Sequence, residues 1–168
     1  FVLYAVASVY HSLRYRPSVL SYKDQLPKVT VIVPAYNEGA SVRLALESAL
    51  ASDYPADLLE IIAVDDGSTD DTWDHITAVS TNYPGWIRAI RMPTNGGKRA
   101  ALVAGFEAAS GDVAVTVDSD SKLHPSAIRE IVAPIVLDPE VAAVAGRVSV
   151  LNRNENLMTK LLAARFWV

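Results

Sequence analysis

What most constrains this chain is a regular alternation of short β-branched runs with segments whose apolar residues recur at helical spacing. Val29–Val33 reads as a strand, and Val42, Leu46, Ala49 and Leu50 follow on one helical face. The unit repeats with Ile61–Val64 as strand and Thr72–Ser80 as helix, where Ser68 and Asp71 stand at capping-box distance. It repeats again with Ile87–Met92 and then Ala100–Ala109, with Leu102, Phe106 and Ala109 expected on one face. A fourth round gives Val113–Val117 and a helix opening at Pro125 that buries Ile128, Ile131, Val132 and Ile135, with a further strand within Val141–Val150. Such a pattern predicts an α/β fold, a mainly parallel twisted sheet with flanking helices and right-handed crossovers.

With 168 residues, 51% of them apolar, the chain can bury one sizeable core. A net charge of −4 disfavours a general nucleic-acid binder, which needs a basic face. Cysteine is absent, so any metal must be held by oxygen or histidine.

Residues 1–16 read as the end of a transmembrane or membrane-associated helix. Phe1–Tyr10 is apolar except Ser8, and Arg14, Arg16, Lys23 and Lys28 follow, an order that suits exit on the cytoplasmic side. At about 1.5 Å per helical residue the apolar run reaches only half of a roughly 30 Å hydrocarbon layer, so an ordinary surface helix is the competing interpretation. Residues 17–28, rich in proline, serine and charge, read as a linker, and 29–168 as the folded domain. The helical stretch Asn154–Val168 carries no closing signal, so the domain is expected to be incomplete at its C-terminus.

Ligands of open parallel sheets bind beyond the carboxyl ends of the strands, and three strands here run into polar clusters. The first meets Pro34-Ala35-Tyr36-Asn37-Glu38-Gly39, either a capped turn or a platform where Tyr36 and backbone groups hold a nucleobase. The second delivers Asp65-Asp66-Gly67-Ser68-Thr69-Asp70-Asp71. Asp70 and Asp71 suit the first turn of a helix, whereas Asp65 and Asp66 precede it. The fourth ends in Asp118-Ser119-Asp120, whose carboxylates on extended backbone would point the same way and repel unless a cation such as Mg²⁺ or Mn²⁺ lay between them. Between these clusters lies Asn95-Gly96-Gly97-Lys98-Arg99 at a helix start, either an exposed turn or an anion cradle in which Lys98 or Arg99 meets a diphosphate. Competing motifs fail: Met92 and Arg99 break a Walker A loop, Ile76 breaks an EF-hand begun at Asp65, and no G-x-G-x-x-G follows the first strand. His11, His75 and His124 are scattered and read as surface or capping residues.

The segments VIVPAYNE, VDDGSTDDT, NGGKRAAL and VDSDS, in that order and followed by AGRVSVLNR, resemble the family 2 inverting glycosyltransferases, in particular the processive membrane synthases of the hyaluronan, chitin and Nod-factor chito-oligosaccharide type. The resemblance spans about Val29–Leu162 and implies a GT-A nucleotide-sugar-binding sheet. It implies donor contacts from Pro34, Tyr36, Glu38, Asp65, Asp66, Lys98 and Asp118, with uracil met by Asp65 or Asp66, and Asp120 and Asp118 holding Mg²⁺ or Mn²⁺. It places Gly146–Arg153 beside the acceptor. The family's later acidic base and Q-x-x-R-W motif are not in this sequence, so the general base is expected beyond Val168.

The function implied is transfer of a sugar, N-acetylglucosamine or a relative, from a UDP-sugar to a growing polysaccharide or oligosaccharide with inversion, at the cytoplasmic face of the cell membrane. Two alternatives stand beside it: a catalytically incomplete, membrane-tethered nucleotide-sugar-binding domain, and a sugar nucleotidyltransferase.

Overall fold

The alternating pattern becomes four strands and four helices in the computed structural model, which describes residues 26–146. In chain order these are β1 (Val29–Ala35), α1 (Val42–Leu50), β2 (Leu59–Asp65), α2 (Thr72–Asn82), β3 (Ile87–Arg91), α3 (Lys98–Ala108), β4 (Val113–Thr116) and α4 (Ala127–Leu137). The strand order is β3-β2-β1-β4, and every pairing is parallel. Every residue of β1 is buried, as expected of a central strand covered on both faces.

Side-chain alternation divides the core into two layers. Val29, Val31, Val33 and Ala35 of β1 join Leu59, Ile61 and Ala63 of β2 beneath α1, α2 and α4. Ile32, Ile62 and Val64 face the other way, against Ala101 of α3. Of the apolar positions expected on α1, Val42, Leu46 and Ala49 are buried and Leu50 packs at the margin.

Three expectations need correction. Helix α3 does not bury Phe106, which is 48% exposed; it buries Ala101 and Gly105. Its close approach explains why: a Cβ built on Gly105 would collide with Ile32 Cγ2, so the helix seats on its smallest residues, with Leu102 packed at the margin and Val103 and Phe106 turned outward. Helix α4 buries Ile128, Val132 and Ala133, leaving Ile131 and Ile135 half-buried. The capping box is absent: Thr72 N–H donates to Asp70 Oδ1 at 3.0 Å, while Ser68 Oγ accepts from Asn37 N–H instead. Of the strand expected within Val141–Val150, residues 141–146 have no regular structure and the remainder lies outside the described residues. Also outside them lie 1–16, most of the linker, the segment after Gly146 expected to border the acceptor and the stretch Asn154–Val168 expected to be helical. No helix among the described residues is long and apolar enough to cross a membrane.

At the amino end of the sheet a polar network ties β1, β2 and the α3–β4 loop together. Glu60 Oε2 accepts from Thr30 Oγ1 (2.6 Å), Ser110 N–H (3.0 Å) and Ser110 Oγ (2.8 Å). Gly111 N–H donates to Thr30 Oγ1, and Lys28 Nζ to Ser110 Oγ. Burial alone would raise the Glu60 carboxyl, but the hydrogen bonds from Thr30 and Ser110 outweigh it, with help from Lys28, and hold it below the usual carboxylate range.

Two measurements check this packing. Alanine in a helix is normally favoured over glycine by about 1 kcal/mol, yet Gly105→Ala is expected to destabilise by about 1–2 kcal/mol in urea unfolding, because the added methyl meets a fully buried side chain on the central strand. For Glu60, the stabilisation from its lowered carboxyl is complete above the unfolded value of about 4.3 and is lost as pH falls through the folded value. The stability advantage of the native chain over Glu60→Gln should therefore shrink steadily below about pH 4.3.

Candidate active site

In-register pairing of β1 with β2, ending at Ala35↔Asp65, stops the two strands level with each other. Asp66 N–H continues the ladder to Ala35 O (2.9 Å), and Val117 N–H bonds Ile32 O (3.0 Å), so the residues after β1, β2 and β4 leave the same rim. There they line one open hollow of about 210 Å³ formed by Pro34, Ala35, Tyr36, Glu38, Asp66, Lys98, Ala101, Asp118, Ser119 and Asp120. Seven of the eight residues expected from the sequence are among these ten; Asp65 is not.

Asp65 and Asp66 part because strand neighbours point to opposite faces. Asp66 has the parity of Ile62 and Val64, the face covered by α3, and its Oδ1 accepts Gly96 N–H at 2.8 Å. Asp65 has the parity of Ile61 and Ala63 and is fully buried on the α2 side, where its Oδ1 accepts Ser68 N–H at 3.0 Å. Arg91 Nε stands 3.2 Å from Asp65 Oδ2, yet that oxygen has no hydrogen bond, so the pair is held by charge rather than by an aligned N–H. The same guanidinium lies 5.4 Å from the centre of the Trp73 ring. Period-2 parity, applied past the end of β2, would have separated the two aspartates from the sequence alone.

The glycine-rich loop is held by Asp66 and by Asn95, whose Oδ1 accepts Gly97 N–H at 2.9 Å. Gly67, at φ +69°, packs so closely that a Cβ would lie 2.6 Å from the Thr94 carbonyl carbon. This contact fixes the height of the 94–97 loop and hence the start of α3 at Lys98. Lys98 Nζ reaches Asp118 Oδ1 at 2.6 Å, with both side chains about 60% exposed. The extended geometry expected of Asp118 and Asp120 is corrected: the chain turns here, Ser121 N–H bonding Asp118 O (3.0 Å), with Ser119 buried between two exposed carboxylates. Both still line the hollow.

The donor chemistry suits a divalent cation shared with a ligand. Among the described residues no group of three or more His, Asp or Glu converges, so no closed protein cage exists. One or two carboxylates completed by phosphate oxygens and water is the arrangement Mg²⁺ favours, and Asp118 with Asp120 offers that set. The described histidines lie apart from the hollow: His75 Nε2 pairs with Asp71 (3.3 Å) and His124 Nδ1 with Ser126 Oγ (2.8 Å).

Sequence reasoning missed the loop contacts behind the rim. Asn37, at φ +52°, turns the chain after β1, and its N–H and those of Glu38 and Gly39 all point into the turn after β2. No local periodicity signals such contacts, because they link residues more than thirty apart.

Known proteins resemble this chain in sequence and in fold. Residues 30–165 match the family described as "Glycosyl transferase family 2". An N-acetylglucosaminyltransferase of Rhizobium sp. (strain N33) is 35% identical over 86% of this chain and 32% of its own length. A hyaluronan synthase of Streptococcus pyogenes is 35% identical over 98% of this chain and 39% of its own. The chain thus spans about a third of the length of these curated relatives. Among solved structures, the mannosyltransferase PcManGT of Pyrobaculum calidifontis, in complex with GDP-Man and Mn²⁺, superposes with a TM-score of 0.73 at 29% identity, covering 83% of this chain and 41% of that one. The sheet and its flanking helices are of the GT-A type.

The two glycines of the loop contacts should respond differently to substitution. Gly97 is at φ +83° and ψ 159°, a conformation essentially restricted to glycine, with open space around it, so Gly97→Ala is expected to cost only the backbone strain, about 1–3 kcal/mol. Gly67→Ala adds a backbone collision and should cost about 3 kcal/mol or more by chemical denaturation, with faster amide exchange at Gly96.

Proposed function

Because the chain belongs to glycosyl transferase family 2, we propose that it forms the donor-binding part of a membrane-associated enzyme that moves N-acetylglucosamine or a related sugar from a UDP-sugar to a growing polysaccharide, with inversion. The observation that carries this is the convergence of Tyr36, Glu38, Asp66, Lys98, Asp118 and Asp120 on one hollow at the carboxyl rim of the sheet.

In this reading the half-exposed ring of Tyr36 stacks beside the base, with Glu38 and Asp66 at the polar edge of the nucleoside. Asp65 serves from behind, holding the turn through Ser68 N–H. Lys98 and Asp118 neutralise each other across 2.6 Å. Lys98, at the start of α3, is then within reach of a diphosphate and can exchange one anion for another. A Mg²⁺ or Mn²⁺ ion held by Asp120 and Asp118 would offset charge on the departing diphosphate; the Mn²⁺ complex of PcManGT supports it. The acceptor hydroxyl attacks the anomeric carbon from the face opposite the departing diphosphate, so one displacement inverts that centre. Its proton passes to a base that the family resemblance puts beyond Val168.

Placement at the cytoplasmic face of the cell membrane is supported by the apolar Phe1–Tyr10 and the basic residues after it. A polysaccharide acceptor is supported by the likeness to a hyaluronan synthase.

The test is made on the full-length protein that carries this chain. Titration calorimetry with Mn²⁺ present should show UDP binding more tightly than GDP, and Lys98→Ala should weaken UDP by about tenfold or more, equivalent to about 1.4 kcal/mol. Asp120→Ala should abolish both transfer and its dependence on added metal. Unchanged transfer by Asp120→Ala, or release of pyrophosphate in place of UDP, would overturn the assignment.

A further inference from the structure

Behind Tyr36 and Glu38 the main chain carries three successive N–H groups, those of Asn37, Glu38 and Gly39, and all three are accepted by side chains of the turn after β2 and of the first residue of α2. Asn37 N–H donates to Ser68 Oγ (3.0 Å); Glu38 and Gly39 N–H both donate to Thr72 Oγ1 (2.9 and 2.8 Å). Gly39 N–H also approaches Asp70 Oδ2 (3.1 Å), while Thr72 Oγ1 donates its own proton to Asp70 Oδ1. In return Asn37 Oδ1 accepts from Thr69 N–H at 2.9 Å. Thr72 has no exposed surface and Ser68 almost none, so these bonds have no water to replace them.

We infer that Thr72 is a positioning residue for the donor site: by accepting two adjacent amides of the 36–39 loop, it fixes the direction in which Tyr36 and Glu38 enter the hollow. It lies outside the hollow's lining and acts only through that loop. The ordering matters because the loop turns at a left-handed Asn37 and is therefore not held by local preference alone. A donor meeting an already oriented ring and carboxylate does not have to order them on binding. The hydroxyl is the decisive feature, since a threonine at the first position of α2 is otherwise only a moderate helix former. This inference rests on the proposed donor role of Tyr36 and Glu38.

The test compares Thr72→Val, which keeps the shape and removes the hydroxyl, with Thr72→Ser, which keeps the hydroxyl. In the full-length protein Thr72→Val should raise the Kd for UDP and the donor KM about tenfold, with kcat within about twofold, and Thr72→Ser should restore both to within about twofold. Amide exchange at Glu38 and Gly39 should quicken in Thr72→Val. Ile76→Val, one turn further along α2 and equally buried, controls for general loss of stability and should leave UDP affinity unchanged. If Thr72→Val does not fold, Thr72→Ala carries the test, since it likewise removes the acceptor for Glu38 and Gly39 N–H and should also weaken UDP. Native UDP affinity in Thr72→Val, or in Thr72→Ala where that variant stands in, overturns the inference while leaving the donor site in place; failure of the native protein to bind UDP overturns both.

Discussion

Parallel in-register pairing of β1 with β2 is the constraint from which the site follows. Because Val29↔Leu59 through Ala35↔Asp65 are matched without a bulge, two loops distant in sequence begin at one height and can exchange hydrogen bonds directly. A slip of one residue would move Asp66 to the face of α2, away from Lys98, and put Asp65 in its place. The hydrophobic pattern guards against that slip: Val31, Val33, Ile61 and Ala63 belong to one core layer and Ile32, Ile62 and Val64 to the other, all fully buried.

Helix α3 adds the cationic side of the hollow, and two close contacts set where it lies. Gly105 rests on Ile32 of the central strand, and Gly67 abuts the loop that leads into Lys98. One contact fixes the helix's distance from the sheet and the other its starting point. The ammonium of Lys98 therefore reaches Asp118 from a supported backbone although both side chains are largely in solvent. In such a setting the ion pair adds little stability, which suits the proposed exchange of Asp118 for a diphosphate.

The order of elements and the rim they share were legible in the sequence, because period-2 and period-3.6 patterns are local and the carboxyl-end rule turns them into a location. Val29, Ile61 and Val113 announced strands that the structure contains. Less legible was whatever depends on how closely two elements approach: helical spacing put Phe106 on one face with Leu102 and Ala109, but it could not show that Gly105 would come within contact of Ile32 and leave Phe106 exposed. Ser68 looked like a helix cap and proved to be an acceptor for Asn37, since its partner lies 31 positions away. Asp65 and Asp66 looked equivalent as residue types, and only the pleat told them apart.

The two ends of the sheet are built from different chemistry. At the amino end Glu60, Thr30, Ser110 and Lys28 are engaged with one another across strand boundaries. At the carboxyl end the side chains around the open hollow meet through the Lys98–Asp118 salt bridge. Mutational drift can therefore act on the second set without disturbing the first. Under the proposed donor role, preference for a base or a sugar can diverge by exchanging a few rim side chains while the opposite end keeps the scaffold constant, which makes this architecture a durable starting point for new specificities.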